Sequence, residues 1–253
     1  MRYYVLADVH GFYSETLDAL RNQGYYEDKG EKKIIILGDI LDRGREPIEM
    51  IDFVIDLIKN DEVILVKGNH EELFLDLVNR LDYYLDRGII NTHHFRNRTF
   101  QTLMDLTGMD FDALFKYRSE CVKIALDHPF VKRIIPKMVN FFETDNYIFV
   151  HGWIPCNKDY LYTVVPNWRD DESDWYHARW INGMEAWYNG AVVYNKTIVC
   201  GHYHASFGHH YYEGDGPEFG EGANFNPFYG KGIIAIDACT AVSGKVNCIV
   251  LED

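Results

Sequence analysis

The chain has 253 residues, with 25 Lys and Arg against 39 Asp and Glu, a formal net charge of −14, and 47% of it is hydrophobic. That hydrophobic share is a globular value and excludes intrinsic disorder. The negative charge repels a phosphate backbone, so general nucleic-acid binding is not expected, and an anionic substrate would need local positive charge, most cheaply from metal ions.

Tyr3 to Ala7 reads as a strand that follows the start directly, with no signal peptide expected. Ser14 to Gln23 reads as a helix with Ser14 as its N-cap. Ile34-Ile35-Ile36-Leu37 is too short for a helix and rich in β-branched residues, so a buried strand is predicted. Ile48, Ile51, Val54, Ile55 and Ile58 give Pro47 to Asn60 the helical spacing, and Val63 to Val66 is another strand. This alternation predicts a parallel sheet with right-handed crossovers. From Glu71 to about Lys137 the pattern is helical, an insertion of about 72–138. Strands are expected at Val139 to Glu143 and Tyr147 to Val150, paired through Asp145-Asn146. Later strands are expected at Thr197 to Cys200, Gly232 to Asp237 and Lys245 to Leu251, the last two joined by a turn near Ser243-Gly244. All five tryptophans lie between positions 153 and 187, in an aromatic-rich insertion of about 154–196 that predicts either its own small core or a base-stacking wall. His209 to Gly230, rich in Gly and aromatics, reads as a long loop. No apolar run approaches the roughly 18 residues of a membrane span, so no membrane partner is expected. Five cysteines without a C-x-x-C pair read as reduced thiols of a cytoplasmic protein.

The chemistry is written at the strand ends. Asp8-Val9-His10-Gly11, Gly38-Asp39-Ile40-Leu41-Asp42-Arg43-Gly44, Gly68-Asn69-His70-Glu71, His151-Gly152 and Gly201-His202-Tyr203-His204 each follow an apolar strand. Ligands bind at the carboxyl ends of strands in parallel α/β sheets, so these residues should converge. Asp, His and Asn without thiolate suit Mn²⁺, Fe or Zn²⁺. Asp8, His10, Asp39, Asn69, His151, His202 and His204 are too many ligands for one ion and right for two.

On these segments the sequence resembles the calcineurin-like metallophosphoesterases, and most of all their branch of protein serine/threonine phosphatases and symmetrical diadenosine tetraphosphate hydrolases. Arg43-Gly44 after Asp42 and Glu71 after Asn69-His70 are the marks of that branch. The resemblance implies an α/β fold, a four-layer α-β-β-α sandwich with a helical insertion, in a single domain. It implies that Asp8, His10 and Asp39 hold a first divalent ion. Asp39, bridging, would hold a second with Asn69, His151 and His202. Gly-His-Tyr-His resembles the wider superfamily, where the second histidine, here His204, often joins the first ion; in an extended segment it would point the same way as His202. His70 would be the general acid oriented by Asp42, Arg43 would hold a phosphate oxygen, and Arg179 is the candidate second phosphate-binding arginine. The implied activity is phosphomonoester hydrolysis on phosphoprotein or small phosphate esters by in-line attack of a metal-bridging hydroxide. The alternatives are a symmetrical diadenosine tetraphosphate hydrolase and a metal-binding scaffold subunit with little activity.

Overall fold

The computed structural model describes residues 1–88, 92–157, 162–170, 172 and 174–253, so both insertions contain positions outside the described residues. The amino-terminal third alternates β1 (Arg2–Leu6), α1 (Tyr13–Asn22), β2 (Lys32–Leu37), α2 (Pro47–Lys59) and β3 (Val63–Val66). A helical stretch follows: α3 (Asn69–Asn79), α4 (Leu81–Arg87), α5 (His93–Arg96), α6 (Thr99–Thr107), α7 (Phe111–Lys116) and α8 (Arg118–Asp127). Then come β4 (Phe142–Glu143), β5 (Tyr147–Phe149), the short pair β6 (Cys156–Asn157) and β7 (Thr163–Val164), α9 (Trp175–Ala178), α10 (Gly183–Tyr188) and β8 (Thr197–Cys200). The chain closes with α11 (Ala205–Gly208), β9 (Phe228–Gly230), β10 (Ile233–Ala235), α12 (Thr240–Ser243) and β11 (Cys248–Glu252).

Among the described residues the β6-β7 pair stands beside two larger sheets, ordered β11-β1-β2-β3 and β4-β5-β8-β10-β9. As the sequence rhythm predicts, β1, β2 and β3 are parallel, with Tyr4 beside Ile34 and Ile36 beside Leu65. The two-residue side-chain period of a strand splits each sheet between two cores. Tyr4, Leu6, Ile34 and Ile36 face outward to α1, α2 and the helical insertion, burying Leu20, Val54, Phe74 and Leu103. Tyr3, Val5, Ile35 and Leu37 face inward to Phe149, Val199, Ile234 and Ile236 of the second sheet. The opposite face of that second sheet, with Ile148, Ile198 and Ile233, packs on Trp153, Trp175 and Met184. The order helices, sheet, sheet, helices is the expected sandwich. No helix of the described residues is long and apolar enough to cross a membrane.

The structure departs from the sequence expectations in four places. Ser14 does not cap α1, which starts one residue earlier; the Ser14 N–H and Oγ both donate to the Glu46 carboxylate, at 3.1 and 2.6 Å. Val139 makes a single bridge to Val66, and the strand proper is Phe142–Glu143. The last two strands lie in different sheets, joined through the helical turn α12. The 209–230 stretch is not wholly irregular: His209–Glu213 forms a helical turn, and β9 pairs with β10 as an edge strand. Phe228 is buried and Tyr229 exposed, an alternation of three residues and too short to read against Pro227.

In β4, Glu143 accepts from Arg169 at 2.7 and 2.8 Å and lies 2.9 Å from Lys196. The Arg169 hydrogen bond, ahead of Lys196, holds this carboxyl down at about 2 against an ordinary 4.5. A depressed carboxylate contributes stability that is present above its unfolded pKa and fades as pH falls toward the folded value. Glu143→Gln should therefore flatten the loss of stability between about pH 4.5 and 2. Urea unfolding at several acidic pH values, compared with the parent, reads it; an unchanged acid limb would show the pair contributes nothing.

Candidate active site

The five strand-end segments do meet, at the carboxyl edge shared by the two sheets. To turn there, Asp8, His10, Asp39, Asp42, Arg43 and His202 all take left-handed backbone conformations, with φ between 45° and 74°. Such conformations are unfavourable for residues with a Cβ and concentrate where geometry serves function. Gly68 is fixed by close approach rather than φ: a Cβ there would sit 2.1 Å from the Asp39 Oδ1.

Asp39 occupies the centre. Its Oδ2 lies 3.8 Å from Nε2 of both His10 and His70, and its Oδ1 lies 3.4 Å from Nε2 of His151. Potential ligand atoms fall into two close groups that share it: His10, Asp39 and His70, and Asp39, His151 and His202. The Nδ1 of His10 meets the Leu41 carbonyl at 2.9 Å, and the Nδ1 of His151 meets the Leu37 carbonyl at 2.6 Å. A carbonyl only accepts, so each Nδ1 carries the proton and each Nε2 presents a lone pair to the site. Around His151 Nε2 stand Asn69 Oδ1 at 2.8 Å and Asp39 Oδ1 at 3.4 Å, three acceptors with no donor between them.

The electrostatics agree with that geometry. Burial pushes the pKa of His10, His151 and His202 down, the last to about 3, so these imidazoles are neutral. Asp39 is pushed up by burial but drawn down, net below its usual range, by His151, His70 and His10 around it. Asp8 is raised by burial and then by the charges of Asp237 and Asp39, and burial raises Asp237 too. Three buried carboxylates and a ring of neutral imidazole lone pairs are a donor set that fits divalent cations.

Beside this centre stands a proton-carrying pair. His70 Nδ1 lies 2.6 Å from Asp42 Oδ2, and Asp42 also accepts the hydroxyls of Thr99 at 2.9 Å and Thr102 at 2.5 Å. Burial lowers the His70 pKa, but the Asp39 and Asp42 carboxylates outweigh it and lift the net value above an ordinary imidazole. Arg43 bridges the two imidazoles, with Nη1 2.9 Å from His10 Nε2 and Nη2 3.1 Å from His70 Nε2, and it donates to Asn97 at 3.1 Å.

Asp8 and His204 belong to neither close group, and Arg179 lies apart from both. Asp8 accepts the His202 backbone N–H at 2.8 Å, while His204 Nε2 faces Glu218 at 2.8 Å with its ring stacked on Tyr203. The segment is not extended as the sequence reading assumes: His202 has φ 63° and α11 begins at Ala205, so the two histidines diverge. Arg179 is buried, pairs with Glu72 at 2.6 Å and touches Asn140, and its Nε is buried without a hydrogen-bond partner. Trp153, Trp168 and Trp175 are buried in one core with Ile148, Ile198 and Ile233 of the second sheet, so they form neither a separate small core nor a base-stacking wall; Trp180 is exposed and meets His202 edge-on at 5.9 Å.

Sequence reasoning gave no role to Asp237, Glu71, Thr99 or Thr102. Asp237 ends an apolar run as Asp8 does, but no histidine or glycine stands in the Ala238-Cys239-Thr240-Ala241 that follows it. Glu71 accepts the backbone N–H groups of Asp39, Ile40 and Gly68 at 3.1, 2.9 and 2.8 Å, tying the β2 and β3 loops together. The threonines carry no signal beyond an i, i+3 spacing on a helix.

The sequence model of the calcineurin-like phosphoesterase family matches residues 1–214. The chain belongs to that family. It is similar to the asymmetrical bis(5'-nucleosyl)-tetraphosphatase PrpE of Bacillus velezensis, 28% identical over 116 residues and 44% of each chain. PrpE of Geobacillus thermodenitrificans is 33% identical over 96 residues, 35% of this chain and 36% of the relative. The match thus spans less than half the length of these curated relatives. A cold-active protein-tyrosine phosphatase of a psychrophilic Shewanella superposes with a TM-score of 0.53 at 18% identity, over 100% of this chain and 75% of that one, a likeness of fold.

Proposed function

We propose that the chain is a dinuclear phosphoesterase acting first on phosphomonoesters of proteins or small molecules. The observation that supports this most is the His70–Asp42 pair at 2.6 Å, set against Arg43 and against the Asp39 carboxylate around which His10, His151 and His202 gather. Bound there, two divalent ions, by donor type Mn²⁺, Fe or Zn²⁺, would supply Lewis acidity to a phosphoryl group and lower the pKa of water. Asp8, His10 and Asp39 form the proposed first ligand set, which His204 joins only on releasing Glu218. Asp39, Asn69, His151 and His202 form the second.

The chain's own residues do the rest. Arg43 donates to phosphoryl oxygens as charge spreads over them, and Asn97 fixes its guanidinium. With Arg43 turned from His70 Nε2 to the phosphoryl group, His70 holds a proton at Nε2 for the departing alkoxide, while Asp42 takes its Nδ1–H and keeps the ring in register. Arg179, with a free Nε, is the second arginine proposed for phosphate. The Glu72 pair would then position it. An intact His70, Asp42 and Arg43 set argues against a scaffold without activity. The five free cysteines fit a reducing compartment, and we place the protein in the cytoplasm.

A second reading, dinucleoside tetraphosphate hydrolysis, draws on the names of the matched relatives, which are of the asymmetrical kind where the sequence reading is of the symmetrical one. The products separate the two: ATP with AMP, or two ADP. The deciding experiment is a hydrolysis panel of phosphopeptides, p-nitrophenyl phosphate, nucleotides and diadenosine tetraphosphate with Mn²⁺. Turnover that survives exhaustive chelation, with metal content verified as zero, would sink the mechanism.

Asp39→Ala should lose both ions together, because one carboxylate serves both groups. Metal analysis after dialysis reads it, and two ions retained per chain would show that Asp39 is not shared.

A further inference from the structure

Next to Arg43, and outside the metal centre, a cavity of about 670 Å³ opens between the β2 loop and the helical insertion. That volume is in the range of small-ligand pockets. Its wall is unusual for a chain of net charge −14: Arg43, Arg45, Arg96 and Arg98 line it with the rings of Phe95 and Phe111. Arg45 is paired with Glu15, whereas among the described residues neither Arg96 nor Arg98 meets a carboxylate. Arg98 donates to the Arg43 carbonyl at 3.3 Å, and Asn97 between the two arginines accepts from Arg43 itself. The insertion thus brings two guanidinium groups that no carboxylate neutralises to the same cavity wall as the residue that would hold the reacting phosphate, one of them tied to its backbone carbonyl. One acid, Asp105, also lines the cavity, and it is engaged by Gln101 at 2.8 Å. Phe95 and Phe111 stand 48% and 44% exposed, two aromatic faces held at the surface with little covering them.

Positive charge that continues from a phosphate site, followed by exposed rings, is the recognition chemistry of a phosphate chain carrying a planar base. Guanidinium forks bind phosphate oxygens in charge-assisted pairs, and bases stack on phenyl rings with little regard to sequence. We propose that this cavity is a subsite for the part of a nucleoside polyphosphate beyond the reacting phosphate, with Arg96 and Arg98 on the phosphate chain and Phe95 on the base. The inference rests on the phosphoesterase reading above and adds to it a substrate class and a specificity-determining surface. A phosphoserine or phosphothreonine peptide has one phosphate and no planar ring beside it, so it leaves both features unused.

The test uses the whole chain and Arg96→Gln, an exposed change on a short helix, with Mn²⁺ present. The kcat/KM for ATP relative to that for p-nitrophenyl phosphate, too short to reach the cavity, should fall about tenfold. Inorganic tripolyphosphate should lose similarly. Phe95→Ala should weaken ATP about fivefold or more, while tripolyphosphate is spared. An unchanged ATP ratio in Arg96→Gln, or an equal fall for a phosphothreonine peptide, overturns the subsite; Phe95→Ala without effect on ATP overturns the ring contact. If the parent hydrolyses nothing, the phosphoesterase reading has failed on its own. Calorimetric titration with ATP then decides the cavity separately: weaker binding to Arg96→Gln supports it, and absent or equal binding overturns it.

Discussion

His70→Asn is expected to cut turnover of alkyl phosphates by something like 10²–10⁴-fold and of p-nitrophenyl phosphate far less. A serine or alkyl alkoxide needs a proton as it leaves, whereas a nitrophenolate is stabilised by its own ring. The structure gives the imidazole what that task demands. Asp42 orients Nδ1 at 2.6 Å, and two threonine hydroxyls from the helical insertion fix Asp42 in turn. The carboxylates of Asp39 and Asp42, outweighing burial, raise the His70 pKa and favour its protonated form. Asparagine keeps polarity and approximate size but cannot protonate. Asp42→Asn should show the same dependence on leaving group in milder form. Equal losses of His70→Asn on both substrates, with metal content unchanged, would mean that His70 is not the acid.

The second large effect concerns stability. Glu71 is buried, and its carboxylate accepts three backbone N–H groups from two different strand-end loops. Burial and the Asp39 charge push its pKa up to about 7, in opposition to those three donors, which favour the ionised form. Glutamine offers one oxygen where the carboxylate offers two. With that oxygen on Ile40, its NH₂ would face the N–H groups of Asp39 and Gly68, donor against donor. At about 1–3 kcal/mol for each buried group left unsatisfied, Glu71→Gln should cost about 3 kcal/mol or more. Chemical unfolding of the metal-free protein measures it, and a loss below about 1 kcal/mol would show that the loops hold without the clamp.

The fold was largely legible because each early strand is a run of apolar residues and each early helix has the 3.6-residue stripe. Ile34 to Leu37 and Val63 to Val66 could be placed from four residues each, since nothing else buries such runs. The errors fell where tertiary contacts decide. Serine is a common N-cap residue, but the Ser14 Oγ donates to Glu46, 32 residues away, instead of accepting a helix N–H. The final strands separate into two sheets for reasons of topology, which local pattern does not carry. The site was legible through its repetition, an acid or imidazole beside glycine after each strand. Asp237 broke that repetition and escaped notice. Glu71 drew attention as a mark of the branch, yet its work on three peptide groups shows only in three dimensions. For His204, alternation along an extended strand puts it beside His202, whereas the left-handed turn at His202 and the start of α11 at Ala205 leave its Nε2 facing Glu218, a placement visible only in three dimensions.

The left-handed turns at Asp8, His10, Asp39, Asp42, Arg43 and His202 set durability against chemistry. At each of them glycine would relax the backbone by about 1–2 kcal/mol, yet would delete the side chain that the proposed chemistry needs. Backbone relaxation and turnover therefore favour opposite residues at six positions packed into one corner of the molecule. The two sheets and their cores must be stable enough to carry that corner, and a gain in robustness has to come from elsewhere in the sandwich.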